Sequence, residues 1–207
     1  MWEIFNFIVM WNGNYIFRSF TKKLLIYFFV IGVFSVDSVI FNCSFSNTDW
    51  GYPVGVAYTC QPTAVFADNT SLEHVQGNHI IGKSNVDVTA LKVQNQNLPQ
   101  ILIGIEKFFP NLIVLEWTNT GLTWFSAEDL LPFPKLRYIS VGYNLLTTVS
   151  DNLFQNATQL EYLSFTNNKL TNVGTKTFSN LNKLSRLWFF NNVCFSGGAT
   201  NRAAVID

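Results

Sequence analysis

The chain has 207 residues, and its 13 basic and 13 acidic side chains give a formal net charge of zero. This balance argues against nucleic acid or an acidic membrane surface as a partner. Hydrophobic residues make up 48% of the chain and charged residues only 13%, which is enough apolar material for a sizeable core.

The first 38 residues have the features of a leader segment. A lysine pair at residues 22–23 precedes an apolar run over residues 24–34, and small residues follow at Ser35 and Ser38. Basic residues, a short apolar run and small residues at a cleavage site form the pattern of a secretory signal peptide. We therefore expect cleavage after residue 35 or 38 and export of the rest of the chain.

An uncleaved membrane anchor over residues 24–41 is the alternative interpretation of this segment. A bilayer requires about 20 apolar residues, whereas the run here is shorter and Asp37 interrupts its continuation. The aromatic stretch at the start of the chain is unlike a usual signal peptide, so Met10 is a second candidate for the true start. A membrane is a partner only if the leader remains as an anchor.

Two short blocks follow the leader. Residues 39–62 contain two cysteines, Cys43 and Cys60. Residues 63–87 have no clear period, but we expect one or two degenerate turns with short strands there, built around Leu72, Val75 and Ile80.

A 24-residue repeat then runs through residues 88–194 in five copies, without insertion or deletion. Each copy reads apolar-x-x-apolar-x-apolar-x-x-polar-x-apolar, as in Leu160, Leu163, Phe165, Asn168 and Leu170 of the fourth copy. The first slot of the five copies is occupied by Val88, Leu112, Leu136, Leu160 and Leu184. A fixed period of this length is the signature of a solenoid in which each copy forms one coil.

The alternating part of each copy predicts a short strand with one buried face. The rest of the copy must return to start the next strand, so successive strands stack in parallel about 4.8 Å apart. A single coil cannot bury its own apolar face, whereas five stacked coils share one core. On the opposite side we expect irregular turns and short helices, with Glu128 and Asp129 near the start of one helical turn.

The polar ninth slot holds asparagine in the last three copies, at Asn144, Asn168 and Asn192. The chain bends away from the strand there, and an amide can both donate to and accept from backbone groups of adjacent coils. We expect these three asparagines to be structural, and Asn168→Leu to destabilise the fold by leaving backbone groups unpaired.

This repeat is similar to the leucine-rich repeat family, in the 24-residue form of extracellular proteins. The resemblance implies an α/β solenoid of horseshoe form, with a parallel concave sheet, an irregular or short-helical convex side and a small N-terminal cap. It identifies residues 39–62 as that cap and implies a disulfide between Cys43 and Cys60. The block Asp49-Trp-Gly with Tyr58-Thr-Cys is similar, more narrowly, to secreted repeat proteins of insects.

Export makes N-glycosylation possible at Asn-x-Ser/Thr triplets. Such triplets begin at Asn42, Asn69 and Asn156, and Asn42 adjoins a cysteine that we expect to be bonded. We predict glycosylation at Asn69 and at Asn156, which falls on the outer side of the third copy.

Cys194 takes the last apolar slot of the fifth copy, and no further cysteine follows in residues 195–207. It is a buried thiol, a cysteine that pairs between molecules, or the start of a C-terminal cap that the chain does not complete. Residues 195–207 lack the pattern of a convincing lid, so we interpret them as an incomplete cap or a tail.

The open face of the predicted sheet is free to serve recognition, because packing does not fix its side chains. In the last three copies it carries several aromatic residues and one arginine: Tyr138, Tyr143, Tyr162, Arg186, Trp188 and Phe190. Tyr, Trp and Arg are enriched in binding hot spots, and the patch is larger than solvated faces usually show. We predict that these six residues bind a protein or peptide. The alternatives are an incidental aromatic excess, or a C-terminal segment that covers Trp188 and Phe190.

The chain contains no recognisable catalytic motif. His74 and His79 lack a third ligand at suitable spacing, so we predict no metal site and no cofactor. The resemblance thus favours a secreted, non-enzymatic binding protein in extracellular recognition, adhesion or innate immunity. A membrane-anchored receptor-like module and a truncated gene product are the alternatives.

Overall fold

The computed structural model describes residues 5–11, 14–20, 39–65, 71–193 and 197–199. The chain divides into two compact units, Met1–Val36 and Asp37–Asp207. In the first unit, strands β1 (Phe5–Trp11) and β2 (Asn14–Phe20) form an antiparallel hairpin. The predicted signal sequence and both predicted cleavage positions lie outside the described residues.

The second unit is built on a nine-stranded sheet with a small two-stranded sheet beside it. In chain order its strands are β3 (Val39–Asp49), β4 (Val56–Val65), β5 (Leu72–Gln76), β6 (Ala90–Gln94), β7 (Val114–Thr118), β8 (Tyr138–Ser140), β9 (Thr148–Val149), β10 (Tyr162–Ser164), β11 (Asn172–Val173), β12 (Arg186–Trp188) and β13 (Gly198–Ala199). The order across the large sheet is β5-β3-β4-β6-β7-β8-β10-β12-β13, and β9 pairs with β11 in the small one.

The five repeat strands β6, β7, β8, β10 and β12 run parallel in a constant register. Each strand is displaced by one 24-residue copy from the next, so the third slots pair in the order Ala90, Val114, Tyr138, Tyr162 and Arg186. The first slots form one buried column, composed of Val88, Leu112, Leu136, Leu160 and Leu184. The predicted solenoid with a parallel repeat sheet is confirmed.

Both ends of the sheet differ from the all-parallel prediction. β3 and β4 form an antiparallel hairpin, and β4 then pairs in parallel with β6. At the other end β13 lies antiparallel to β12, although we predicted no lid for this segment. Each antiparallel strand gives partners to backbone N–H and C=O groups that the neighbouring strand leaves free.

The segment before the first repeat also extends the sheet. β5 pairs in parallel with β3, and Leu72 is buried in the core. Ile80, which we expected to pack in a degenerate turn, is instead 42% exposed. The prediction of short strands in residues 63–87 therefore holds for β5 and is wrong for Ile80.

The predicted disulfide between Cys43 and Cys60 is present and joins β3 to β4. Val39 and Phe41, also on β3, are fully buried in the same core. Residues 39–41, the last three of the alternative anchor, therefore belong to the sheet, and residues 24–38 lie outside the described part of the chain. Within the described ranges, none of the helices has the length and apolar character that a membrane crossing requires.

The convex side carries short elements, as predicted. They are the 3₁₀ turn Asn85–Asp87 and two four-residue helices, Ile105–Phe108 and Ala127–Leu130. Asp129 closes the first turn of the second helix, where its Oδ2 accepts hydrogen bonds from the backbone N–H and the hydroxyl of Ser126. Negative charge is favourable at such a helix start.

The ninth-slot asparagines bind the backbone of the neighbouring coil. Asn168 Oδ1 accepts from the Leu146 N–H at 3.1 Å, and its Nδ2 donates to the carbonyls of Val141 and Phe165 at 2.9 Å each. Asn144 and Asn192 make corresponding bonds one coil away. No buried side-chain N or O atom of the described residues is left without a partner.

Candidate functional site

The repeat strands end in a left-handed backbone conformation at the eighth slot. Its five residues have φ between 52° and 57°: Asn95, Asn119, Tyr143, Asn167 and Asn191. Asparagine tolerates this region, whereas a bulky side chain is rarely found there. We predicted these positions only as part of the open face. The column of asparagines is the signal that could have identified the conformation.

Tyr143 interrupts a ladder of side-chain amides along this column. Asn119 Nδ2 donates to Asn95 Oδ1 at 2.8 Å, and Asn191 Nδ2 donates to Asn167 Oδ1 at 2.9 Å. Tyr143 lies between the two pairs and is 63% exposed. An exposed aromatic residue in a strained conformation, where the other copies have asparagine, is the kind of position that recognition sites use.

A depression of about 500 Å³ lies beside Tyr143 on the concave sheet. Its floor consists partly of small residues, Ser140 and Ser164 of the fifth slot and Gly142 of the seventh. A Cβ on Gly142 would come within 2.9 Å of the Thr166 carbonyl oxygen, so a larger residue does not fit without a shift. Small side chains at consecutive coils leave the depression open.

Glu116 is the charged residue of this depression. Its side chain accepts hydrogen bonds from Gln94 Nε2 and, at 3.4 Å, from the Thr118 hydroxyl. It is only 9% exposed and has no cation within 4.0 Å among the described residues. Burial raises the pKa of Glu116 above its ordinary value, and Lys92, in register on the next strand, opposes the shift.

The tip of the β3–β4 hairpin, residues 50–55, covers the start of the repeat strands. Trp50 packs edge to face on Tyr138, with ring centroids 5.4 Å apart. Trp50 and Val54 belong to a small apolar cluster with residues of β4, β6 and β7, namely Ala57, Ala90 and Val114. The cap therefore occupies the third-slot column of the concave face.

The same tip reaches as far as the fifth repeat. The Arg186 guanidinium lies 4.9 Å from the Tyr52 ring centroid, and its Nη1 donates to the Tyr52 carbonyl at 3.4 Å. Arg137 Nη2 donates to the Pro53 carbonyl at 2.7 Å, while its Nε pairs with Glu161 at 2.6 Å. These contacts join residues distant in sequence, and the repeat pattern carries no signal for them.

The six predicted contact residues do not form one open patch. Tyr138 and Tyr162 stack with centroids 4.1 Å apart, and Trp188 stacks on Phe190 at 5.5 Å. Tyr138 and Arg186 contact the cap, as described above, and are partly exposed. A Cβ on Gly198 would lie 2.1 Å from the Trp188 ring, so β13 covers this indole. Of the six, Tyr143 and Phe190 are the markedly exposed ones.

The contacts of His79 stabilise the fold. Its ring stacks on Phe45 with centroids 3.8 Å apart, its Nδ1 is 2.9 Å from the Tyr58 hydroxyl, and its Nε2 is 3.0 Å from Asn85 Oδ1. These contacts tie the loop before the first repeat to the cap. In the described part of the chain, no three His, Cys, Asp or Glu side chains are arranged to hold a metal ion.

Asn156, one of the two predicted glycosylation positions, is exposed in a turn on the convex side. Asn69, the other, lies outside the described residues, as does Cys194. Glycosylation at both asparagines and the state of Cys194 stay predictions.

Comparison with known proteins gives one family match. The leucine rich repeat family model matches residues 134–193. Among solved structures, a chain of the Toll–Spatzle complex, described as a molecular hub in Drosophila development and innate immunity, aligns with a TM-score of 0.41 and 21% identity. The alignment covers 61% of this chain and 15% of that one, so this chain spans a small part of its length. No curated protein matches the chain.

Proposed function

Since the chain is a leucine-rich repeat protein, a fold typical of protein–protein recognition, we propose that it is a non-enzymatic binding protein. The partner, a protein or peptide, binds the open concave surface, by which we mean the depression lined by Glu116, Ser140, Gly142, Tyr143 and Ser164. One observation carries this proposal: Tyr143 is exposed and strained where the other copies hold asparagine. Residues held in strained backbone conformations cluster at binding and active sites.

The proposed location is outside the cell. The signal-like pattern in the leader and the disulfide between Cys43 and Cys60 support export to an oxidising compartment. Extracellular recognition, adhesion or innate immunity is the proposed context. Protein sequencing of the N-terminus of the chain purified from culture medium tests secretion, with a start at residue 36 or 39 expected. An intact chain retained in the membrane fraction would support the anchored, receptor-like alternative.

Site-specific photo-crosslinking tests the binding surface. A benzophenone amino acid replaces Tyr143 on the concave side in one full-length variant and the exposed Gln155 on the convex side in another. We expect protein adducts on cells or in extracellular fluid with the first variant and not with the second. Equal adducts from both variants, or none from the first, would overturn the proposal.

An alanine scan follows once an adduct has been identified. Tyr143→Ala should weaken binding most, because its ring is open to the partner. Tyr162→Ala, Arg186→Ala and Trp188→Ala test the rest of the predicted patch. Unchanged affinity in all four variants would show that the partner does not bind the concave sheet.

A further inference from the structure

We propose that the partner inserts an arginine or lysine side chain into the depression, where it pairs with Glu116. This inference rests on the proposed function and specifies the chemistry of the partner. It begins from one asymmetry: Glu116 is the charged group among the described residues that line the depression, and the others are neutral.

The Glu116 carboxylate is desolvated without a full compensating partner. It is 9% exposed, and its hydrogen-bond donors, Gln94 and Thr118, are uncharged. A buried carboxylate gains most from a cation that approaches in a water-poor site. The depression therefore contains one acidic group among lining residues that are otherwise uncharged.

Lys92 acts on Glu116 electrostatically but does not form an ion pair with it. Lys92 pairs with Glu116 in register, but its Nζ lies 5.9 Å from the centroid of the Trp50 ring. Lys92 thus contacts the cap at the covered side of the sheet and forms no ion pair with Glu116 within 4.0 Å. A cation from outside can therefore pair with the carboxylate where it lines the depression.

The rim of the depression suits a long basic side chain. Tyr143 lines the same depression and exposes its ring. An aromatic ring can hold the alkyl stem or the guanidinium of a basic residue, while the charged end reaches the carboxylate. Arginine is favoured over lysine, because its planar group can donate two hydrogen bonds to one carboxylate.

Peptide display tests this inference with random sequences in place of the unidentified partner. A 12-residue phage library is selected on the full-length wild-type protein, and the peptides are then measured on Glu116→Gln. The matched control, Glu128→Gln, removes the same charge from the exposed convex helix. We expect selected peptides rich in arginine or lysine that bind Glu116→Gln tenfold or more weakly and Glu128→Gln within twofold of wild type.

A change in the peptide separates recognition from misfolding. Citrulline replaces the arginine of the best peptide and removes its charge at nearly the same shape, with the protein unaltered. On wild type, the citrulline peptide should bind more weakly than the arginine peptide by about the factor that Glu116→Gln costs the arginine peptide. The citrulline peptide should then bind Glu116→Gln about as well as it binds wild type. Peptides insensitive to both changes would overturn the inference.

The outcomes also separate this inference from the proposed function. Selected peptides that lack basic residues but lose affinity on Tyr143→Ala would refute the role of Glu116 and leave the concave binding surface standing. Failure to select any peptide that responds to Tyr143→Ala or Glu116→Gln would count against both.

Discussion

Trp50 of the cap and Tyr138 of the third repeat are in edge-to-face contact, with ring centroids 5.4 Å apart. Tyr138 in turn stacks on Tyr162 of the fourth repeat. The cap is therefore coupled to the middle of the repeat array as well as to its first strand. Among the described residues, the cap packs on one side of the concave sheet, and the depression beside Tyr143 lies on the other side.

A double-mutant cycle measures this coupling. Trp50→Ala and Tyr138→Ala should each destabilise the fold, and the pair should show a coupling energy of about 0.5–1.5 kcal/mol, the range for aromatic contacts. Chemical denaturation provides the free energies of unfolding. The control is Trp124→Ala, at an exposed tryptophan outside the repeat strands. Its effect on the free energy of unfolding should be additive with that of Tyr138→Ala. Additivity of Trp50→Ala with Tyr138→Ala would show that the contact is absent in solution.

The disulfide should contribute strongly to stability. Cys43 and Cys60 are 17 residues apart. Closure of a loop of this size lowers the entropy of the unfolded chain, which stabilises the fold by about 3 kcal/mol at 25 °C. We expect the Cys43→Ala/Cys60→Ala variant to lose about that much in chemical denaturation. Reductant should lower the stability of the wild type and leave the double variant unchanged. If reductant lowered the stability of both proteins equally, the Cys43–Cys60 bond would not be the cause of the loss.

Asn168→Leu should destabilise the solenoid by about 3 kcal/mol, because the buried backbone groups that the amide serves lose their partners. The affected groups are the Leu146 N–H and the carbonyls of Val141 and Phe165. Asn172→Leu, at an exposed asparagine of β11 in the same repeat, is the control and should change stability by about 0.5 kcal/mol or less. Similar values for the two variants would contradict a structural role of the ninth slot.

Tyr143→Asn should stabilise the protein by about 1 kcal/mol, because asparagine relieves the cost of a left-handed conformation. The new amide would also lie between Asn119 and Asn167 and could continue the ladder. The reverse change, Asn119→Tyr, should destabilise. Thermal and chemical unfolding give both effects. A loss of stability in Tyr143→Asn would mean that packing of the Tyr143 ring outweighs the strain.

Glu116→Gln should stabilise the free protein more at about pH 7 than at about pH 4. Because burial raises the pKa of Glu116 above its ordinary value of 4.5, the folded state binds the proton more tightly than the unfolded state. The stability that the folded state gains from this tighter proton binding is fully present below pH 4.5 and is lost as pH rises through the pKa of Glu116 in the folded state. The difference in unfolding free energy between variant and wild type, measured across this range, should grow with pH. A constant difference would show that the carboxylate is not desolvated.

The repeat sheet could be predicted from sequence because packing dictates it. The first slots, from Val88 to Leu184, must all be apolar to share one core, so their period gives the register directly. The ninth-slot asparagines were predictable for a similar reason, since a tight bend needs a side chain that both donates and accepts.

The candidate site was harder to predict, because it depends on contacts outside the period. Nothing in the composition of residues 50–55 indicates that Tyr52 reaches Arg186 of the last repeat. The burial of Glu116 depends on the neighbouring coils, and a single charged residue on a strand usually indicates a solvated face. The prediction of one open patch did not foresee that the cap packs on Tyr138 and β13 on Trp188, which leaves both side chains only partly exposed.

The interruption of the amide ladder at Tyr143 bears on the register in which a ligand would bind along the coils. A concave surface with the same residues at every coil would let a bound segment shift by one coil without losing contacts. Tyr143 is the one tyrosine of the eighth column, and Glu116 is the one acid that lines the same depression among the described residues. If the proposed function holds, a ligand that contacts both Tyr143 and Glu116 would bind in a single register along the coils.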